Sequence, residues 1–360
     1  MNDSLFLAAL HSLPGITHVR LRSLTNVQSS WQHIWEYLPK YFSLLQLPQE
    51  KIEKLLVAKN SFSIDELQKK IEKYSIQVVC EGSSEYPKLL SHISAAPFVL
   101  YVRGDPELLK ESSIAVVGTR KVSHYGRELL DKTIPLLVER NIPVISGLAL
   151  GTDLEAQRLV VAKEGRTVGV LGSGVDIIYP VPSQKLVEAL LSVGGCLVSD
   201  FPIGTAPEPY HFPMRNRIIA GLAKSILVVE AGEKSGSVIT AHLGLEQGKD
   251  IYAYPGSVFS SVSLGTNQLI AKSEAQLVVS PNELLVFLGY GEIQGGLTQQ
   301  KTIPDEVQNL YALISQYPVE EQELLLNYGL KLPLFQMHMT LLELEGVIQK
   351  VEGTKWKRKN

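Results

Sequence analysis

The sequence predicts an α/β protein: a doubly wound, mostly parallel sheet, preceded by a helical segment and followed by a smaller helical one. Three observations carry that expectation. Seven short strand-type runs, at 114–117, 143–146, 167–171, 196–199, 226–230, 251–254 and 276–279, alternate with helix-length segments, and strand alternating with helix implies parallel pairing. The runs are apolar throughout rather than alternating, as strands covered on both faces are. Nearly every run ends at a small or polar residue, at Gly118, Ser146-Gly147, Gly172-Ser173-Gly174, Asp200, Gly232 and Pro255-Gly256, and the carboxyl edge of such a sheet is where ligands bind.

Composition narrows the function classes. With 360 residues, 45% of them apolar, the chain has room for two or three domains. A formal charge of −3 and a pI near 6.3 exclude a protein that coats nucleic acid by bulk charge, so a polyanion site must gather its Arg and Lys locally. Cys80 and Cys196 lie far apart without CxxC or His spacing, which indicates neither zinc nor a disulfide framework and suits a reducing compartment. The start MNDSLFLAALHSLPGI lacks a basic opening and carries too short an apolar run for a signal peptide, and no stretch approaches a membrane span. A cytoplasmic location is expected.

Taken in order, residues 1–72 read as a small helical domain, with Leu5, Ala8, Ala9, Ile52, Leu55 and Leu56 at helical spacing and breaks at Pro14-Gly15 and Pro48. LPGI followed by Thr17 has the outline of a helix-hairpin-helix, but Thr17 stands where a second glycine is needed, which favours plain packing. Residues 73–288 carry the sheet, opening with β-rich runs at 76–80 and 97–102 and closing at a helix capped by Ser280-Pro281-Asn282-Glu283. Residues 289–302, glycine-rich and aperiodic, read as a linker. In 303–360, helices around Val307 to Ile314, Glu321 to Asn327 and Leu334 to Leu344 precede a hairpin turning at Glu352-Gly353, the order of a winged helix. The third of these helices lacks Arg and Lys, which points to protein contact or packing rather than base reading.

The central stretch is IAVVGTRKVSHYG, strand, loop, helix. Gly118 permits close backbone approach, Thr119 follows it, Arg120 offers a planar donor fork and Lys121 a point charge, all beside a helix N-terminus that favours an anion. A tight turn with a solvated arginine explains the same residues. The dinucleotide fingerprint GxGxxG is missing here and at Gly172 and Gly174, and no Walker GK[ST] occurs, which excludes a hydride-transfer enzyme and the usual ATPase. The segment FPIGTAPEPYHFPMRNRIIAGL is held extended by prolines and sets Tyr210, His211 and Phe212 beside Arg215, Asn216 and Arg217. Aromatics beside arginines suit a single nucleic-acid strand, with bases on rings and phosphates on guanidiniums; an ordered loop with paired arginines is the alternative. EKSGSVIT presents Ser235, Gly236, Ser237 and Thr240 at another helix start, where hydroxyls suit phosphate or simple capping. His242 has no metal spacing, and Asp153 and Asp176 belong to no Ser/His/Asp or Cys/His set. Neither catalysis nor a cofactor is expected.

The succession IAVVGTR, SGLALGTD, LGSGVDIIYP, FPMRNRIIAGL, VVEAGEKSGSVITA, YPGS and SLGTNQLI resembles the DNA-processing protein A (DprA/Smf) family over roughly residues 80–288. The resemblance implies an extended Rossmann-like sheet between a SAM-like helical domain and a winged helix. It implies a non-catalytic, dimeric single-stranded DNA binder of natural transformation, which protects incoming strands, displaces single-strand binding protein and loads the RecA recombinase. Its phosphate loop falls on Gly118, Thr119 and Arg120 and its FPxRNR segment on Phe212, Arg215, Asn216 and Arg217; Gly147 is a candidate from its place at a strand end alone. Leu150, Thr152, Gln157 and Pro209 depart from the family's common pattern, and at Leu150 and Pro209 a basic residue is lost. The competing enzyme class, a Rossmann-like nucleotide phosphoribohydrolase, requires PGGxGTxxE, of which AGEKSGSVIT lacks the second half.

Overall fold

The computed structural model describes residues 3–27, 29–291, 305–351 and 353–358. The apolar runs form nine strands: β1 Ile76–Cys80, β2 Val99–Gly104, β3 Ile114–Val117, β4 Val144–Ser146, β5 Thr167–Val170, β6 Cys196–Ser199, β7 Ser225–Val228, β8 Asp250–Ala253 and β9 Gln276–Leu277. They make one sheet in the order β1-β2-β6-β5-β4-β3-β7-β8-β9. From β6 to β9 every pairing is parallel, while β1 with β2 and β2 with β6 are antiparallel and extend the sheet at one edge. Each parallel strand lies within two residues of its expected span. The largest shortfall is the last, where the run 276–279 keeps only two ladder residues.

All four residues of β3 are buried, because the strand pairs on both sides, with β4 and β7. From β3 the chain winds outward through β4, β5 and β6, then crosses back to lay β7 on the other side of β3. That reversal opens a crevice at the carboxyl ends of β3 and β7, the place where open α/β sheets bind ligands.

Side chains alternate faces along each strand, so the sheet builds a core on either side. Leu100, Val102 and Val198 enter one core with Leu90 and Ile218; Val99, Tyr101 and Leu197 enter the other with Leu7, Leu21, Ile34 and Leu55. The helices of residues 3–73 thus pack on a sheet face, and they lie in the same compact unit as the sheet, Met1–Gly291. Thr17 is the N-cap of the helix His18–Leu24, its hydroxyl accepting from the Arg20 amide, which explains a threonine at that turn.

A buried polar network ties this helical layer to the far end of β6. His11 Nδ1 lies 2.9 Å from the Tyr101 hydroxyl, and the His11 and His18 ring centroids are 4.7 Å apart. His18 Nδ1 accepts from the Phe98 amide and its Nε2 lies 3.5 Å from Asp200 Oδ2, which also accepts from Arg217. Burial would raise the Asp200 carboxyl, but the hydrogen bond from His18 and the charge of Arg217 hold it below the usual range. Burial, with His18 close by, lowers His11 from 6.5 to about 3. Below pH 6.5 the unfolded chain therefore takes up a proton at His11 that the folded chain refuses, and stability falls as pH falls through that window. The loss from this group is about 2 kcal/mol between pH 7 and pH 5. Urea titrations at the two pH values are expected to show that loss, and His11→Gln is expected to remove it; an unchanged pH dependence in the variant would dismiss the assignment.

No helix among the described residues is long and apolar enough to cross a membrane. The second unit, Glu292–Asn360, holds helices Gln308–Leu313, Glu321–Tyr328 and Leu332–Leu344. Its antiparallel sheet has β10 Val319–Glu320 and β11 Ile348–Lys350 on either side of β12 Lys355–Arg358. Leu310, Leu324, Phe335, Leu342, Ile348 and Trp356 form its core. The three expected helices and the hairpin are present, with β10 as an added strand. Residues 292–302 of the expected linker and Glu352 of the expected turn lie outside the described residues.

Candidate functional site

Four loops converge at the carboxyl ends of β3 and β7. The first, after β3, is braced by Glu230 from the end of β7: the Thr119 amide donates to the Glu230 carbonyl at 2.7 Å. Ser123, the N-cap of the helix His124–Glu139, donates its amide and hydroxyl to the Glu230 carboxylate at 2.9 and 2.6 Å. Thr119 is itself buried, its carbonyl accepting from the Thr152 amide and hydroxyl. A methyl on Gly118 would lie 2.5 Å from Thr152 Oγ1, so only glycine fits there. These bonds fix the loop backbone and leave Arg120 and Lys121 exposed.

The second loop, after β4, is closed by Asp153, whose Oδ2 accepts from the Gly147 amide at 3.1 Å. Burial lifts the Asp153 carboxyl to about 6 against the pull of Arg215 and of these amide donors.

The third contribution comes from the helix His211–Leu222, which begins at the histidine and so carries the arginines in its second turn. Four consecutive helical residues point in different directions, about 100° apart, and the segment does not act as one strip. Phe212 turns into the crevice with its ring centroid 5.7 Å from that of Tyr179, which is half exposed. His211 is buried against Phe201 at 4.1 Å, and Tyr210 stands out to solvent. Arg215 is buried, its Nη1 donating to the carbonyls of Gly147 and Val170. Burial lowers it to about 10, with the field of Arg120 adding to the effect and that of Asp153 opposing it; it stays charged at neutral pH. Arg217 points away from the crevice into its pair with Asp200. The fourth loop, after β7, caps the helix Gly236–Glu246 with Ser235, whose hydroxyl lies 2.7 Å from that of Ser237. Thr240 donates back to the Gly236 carbonyl, and Asn216 Nδ2 reaches the same oxygen at 3.4 Å.

Together these loops enclose a cleft of about 400 Å³. Of the candidate residues, Gly118, Arg120, Phe212, Arg215, Asn216, Ser235, Gly236, Ser237 and Thr240 line it. Gly147 lines an adjoining hollow of about 270 Å³ walled by Leu150, Tyr179, Pro180, Pro209 and Phe212. Thr119, Lys121, Tyr210, His211 and Arg217 line neither. Among the other lining residues, one cation and one aromatic lie outside the sequence-predicted set. Lys234 stands next to Ser235 on the cleft wall, a basic residue directly before a serine-glycine turn being the available signal; Tyr179 comes from the LGSGVDIIYP loop, where the Tyr-Pro pair was one.

Three cations, Arg120, Arg215 and Lys234, and one carboxylate, Asp153, line the cleft. Arg120 and Lys234 are exposed and make no hydrogen bond or ion pair among the described residues. Asp153 offsets the buried Arg215, so the excess positive charge in this concave site comes from Arg120 and Lys234 and favours an anion. The aromatic pair opens next to it, so the arrangement offers charge and a flat apolar surface side by side.

Residues 77–289 match the sequence model of the family described as DNA recombination-mediator protein A. The chain belongs to that family. All four cleft loops fall inside the matched span. Protein Smf of Escherichia coli strain K12 is 39% identical over 221 residues, which cover 61% of this chain and 59% of the relative's length. The X-ray structure of DNA processing protein A from Streptococcus pneumoniae superposes with a TM-score of 0.66 at 29% identity, covering 79% of this chain and 98% of that one. The structure of DNA processing protein A from Helicobacter pylori, which describes that protein's single-stranded DNA binding mode, superposes with a TM-score of 0.55 at 26% identity, over 60% and 96% of the two chains.

Proposed function

We propose that this chain binds single-stranded DNA along the crevice between β3 and β7 without catalysing a reaction on it, and that it acts in the processing of incoming DNA during natural transformation. The observation that carries the reading is the pairing of two unpartnered cations, Arg120 and Lys234, with the Tyr179 and Phe212 rings in adjoining hollows. Phosphates on the cations and bases on the rings is how a strand is held with little regard to sequence. The single-stranded DNA binding described for the Helicobacter pylori relative supports it. In this reading the chain works as a cytoplasmic homodimer that displaces single-strand binding protein and loads the RecA recombinase, and the second unit is a winged helix used for protein contact. The hydrolase alternative lacks a free glutamate at the cleft: Glu230, at the matching strand end, is buried and committed to Ser123.

The test is a gel shift of the full chain on a single-stranded 20-mer and on its duplex across a salt series. Preferential binding of the single strand is expected. The logarithm of affinity should fall against that of salt with a slope of about −0.7 for each phosphate contacted. Absent or salt-insensitive binding would sink the reading, and release of free base from nucleoside monophosphates would replace it with the hydrolase.

A further inference from the structure

The loop after β8 carries an expense that its packing does not explain. Phe259 is 97% exposed and Val258 70%, side by side in a turn at the tip. The loop beneath them is stapled. The Tyr125 hydroxyl donates to the Pro255 carbonyl at 2.8 Å, and Asn267 clamps Gly256 at both its amide and its carbonyl, at 3.1 and 3.0 Å. The Phe259 amide donates to Ser257 Oγ, and the Ser260 amide to the Ser257 carbonyl at 3.0 Å. A ring on so fixed a backbone is presented to solvent rather than left there by slack.

Its position indicates what it is presented to. The loop stands at the same carboxyl edge as the cleft, one strand beyond β7, and touches both neighbours that border the cleft. Tyr125 lies in the first turn of the helix His124–Glu139, which follows Arg120 and Lys121. The Ser261 carbonyl packs against Gly232, within 3.4 Å of where a side chain there would start, two residues before Lys234. No acidic residue occurs from Tyr254 to Ile270, and Glu233 on the adjoining loop accepts from Gln268 at 3.3 Å. The half-exposed Tyr125 ring and the Ser261 backbone are thus the points at which the Phe259 loop meets the two segments bordering the cleft.

We propose that Val258 and Phe259 form a second stacking platform, on which a base of the bound strand rests after its phosphates leave the β3/β7 cleft. The proposal rests on the single-stranded DNA reading and extends it to a site outside the cleft. A flat exposed ring beside a cationic groove is the element that sequence-tolerant strand binding uses repeatedly. Because a phenyl ring attracts bases and not phosphates, the platform contributes only where bases are present.

The experiment compares fluorescence anisotropy of the full chain, wild type and variant, on a labelled thymidine 20-mer and on an abasic strand of equal length and charge. Phe259→Ala is expected to weaken binding of the thymidine strand by about fivefold or more, Phe259→Trp to keep it, and Phe259→Leu to lose most of it. On the abasic strand all four proteins should bind alike. Wild-type affinity in Phe259→Ala, rescue by leucine equal to that by tryptophan, or an equal loss on the abasic strand would overturn the platform. So would a fall in sedimentation coefficient in Phe259→Ala without DNA, which would assign the ring to contact between copies of the chain. Failure of wild type to bind either strand would remove the underlying reading itself, an outcome distinct from normal binding that ignores Phe259.

Discussion

Arg215→Ala is expected to destabilise the first unit by about 3–5 kcal/mol, the cost of removing one member of a buried charged cluster, and to lower its melting temperature by roughly 10 °C. Three losses coincide. The carbonyls of Gly147 and Val170 lose their donor, the buried Asp153 loses the cation that opposes its desolvation, and a void opens where the guanidinium lay. Arg215→Lys is expected to recover only part, since an ammonium group has no planar fork to span two strand ends. Thermal unfolding followed by circular dichroism, without DNA, measures this directly. A variant melting within a degree or two of wild type would show that the guanidinium is not a brace.

Arg120→Ala is expected to do the reverse, leaving the melting temperature unchanged and weakening single-stranded DNA binding by about 10- to 100-fold, the value of a hydrogen bond to a charged group. Arg120 is exposed and makes no hydrogen bond within the described residues, so the fold has nothing to lose. The slope of log affinity against log salt should become shallower by about 0.7, one phosphate contact fewer. Gel shifts on both proteins at several salt concentrations supply the number; equal affinity or an equal slope would take Arg120 out of the path. The two variants thus separate two arginines that look equivalent in the sequence, one holding loops together and one facing the ligand.

The strands were legible because a strand buried on both faces must be apolar throughout and must stop where the chain turns, and Val117-Gly118 and Ser146-Gly147 announce both. The location of the cleft was legible for the same reason, since strand ends carry the small residues. The fate of individual side chains was not. Arg215 and Arg217 are two apart on a helix, hence about 200° apart around it, and their residue type says nothing of which direction is inward. His211 went inward because Phe201 waits there, a contact set by tertiary packing. Asp200 gave no sign that it would gather His18 and Arg217, because those partners come from segments far apart in the chain. Lys234 and Tyr179 were not legible because each lies several residues beyond its strand, where loop geometry rather than strand periodicity decides which side chains face the cleft.

The reversal of strand order around β3 also governs when the protein becomes competent. The cleft draws on residues from Val117 to Thr240, and its wall is complete only after β7 has found β3 across more than a hundred residues of intervening chain. Contacts of such long sequence separation form late and slowly. A chain emerging in order from the ribosome therefore shows Arg120 in a half-built sheet well before Lys234 joins it, so a truncated or stalled product carries the phosphate loop without a closed site around it.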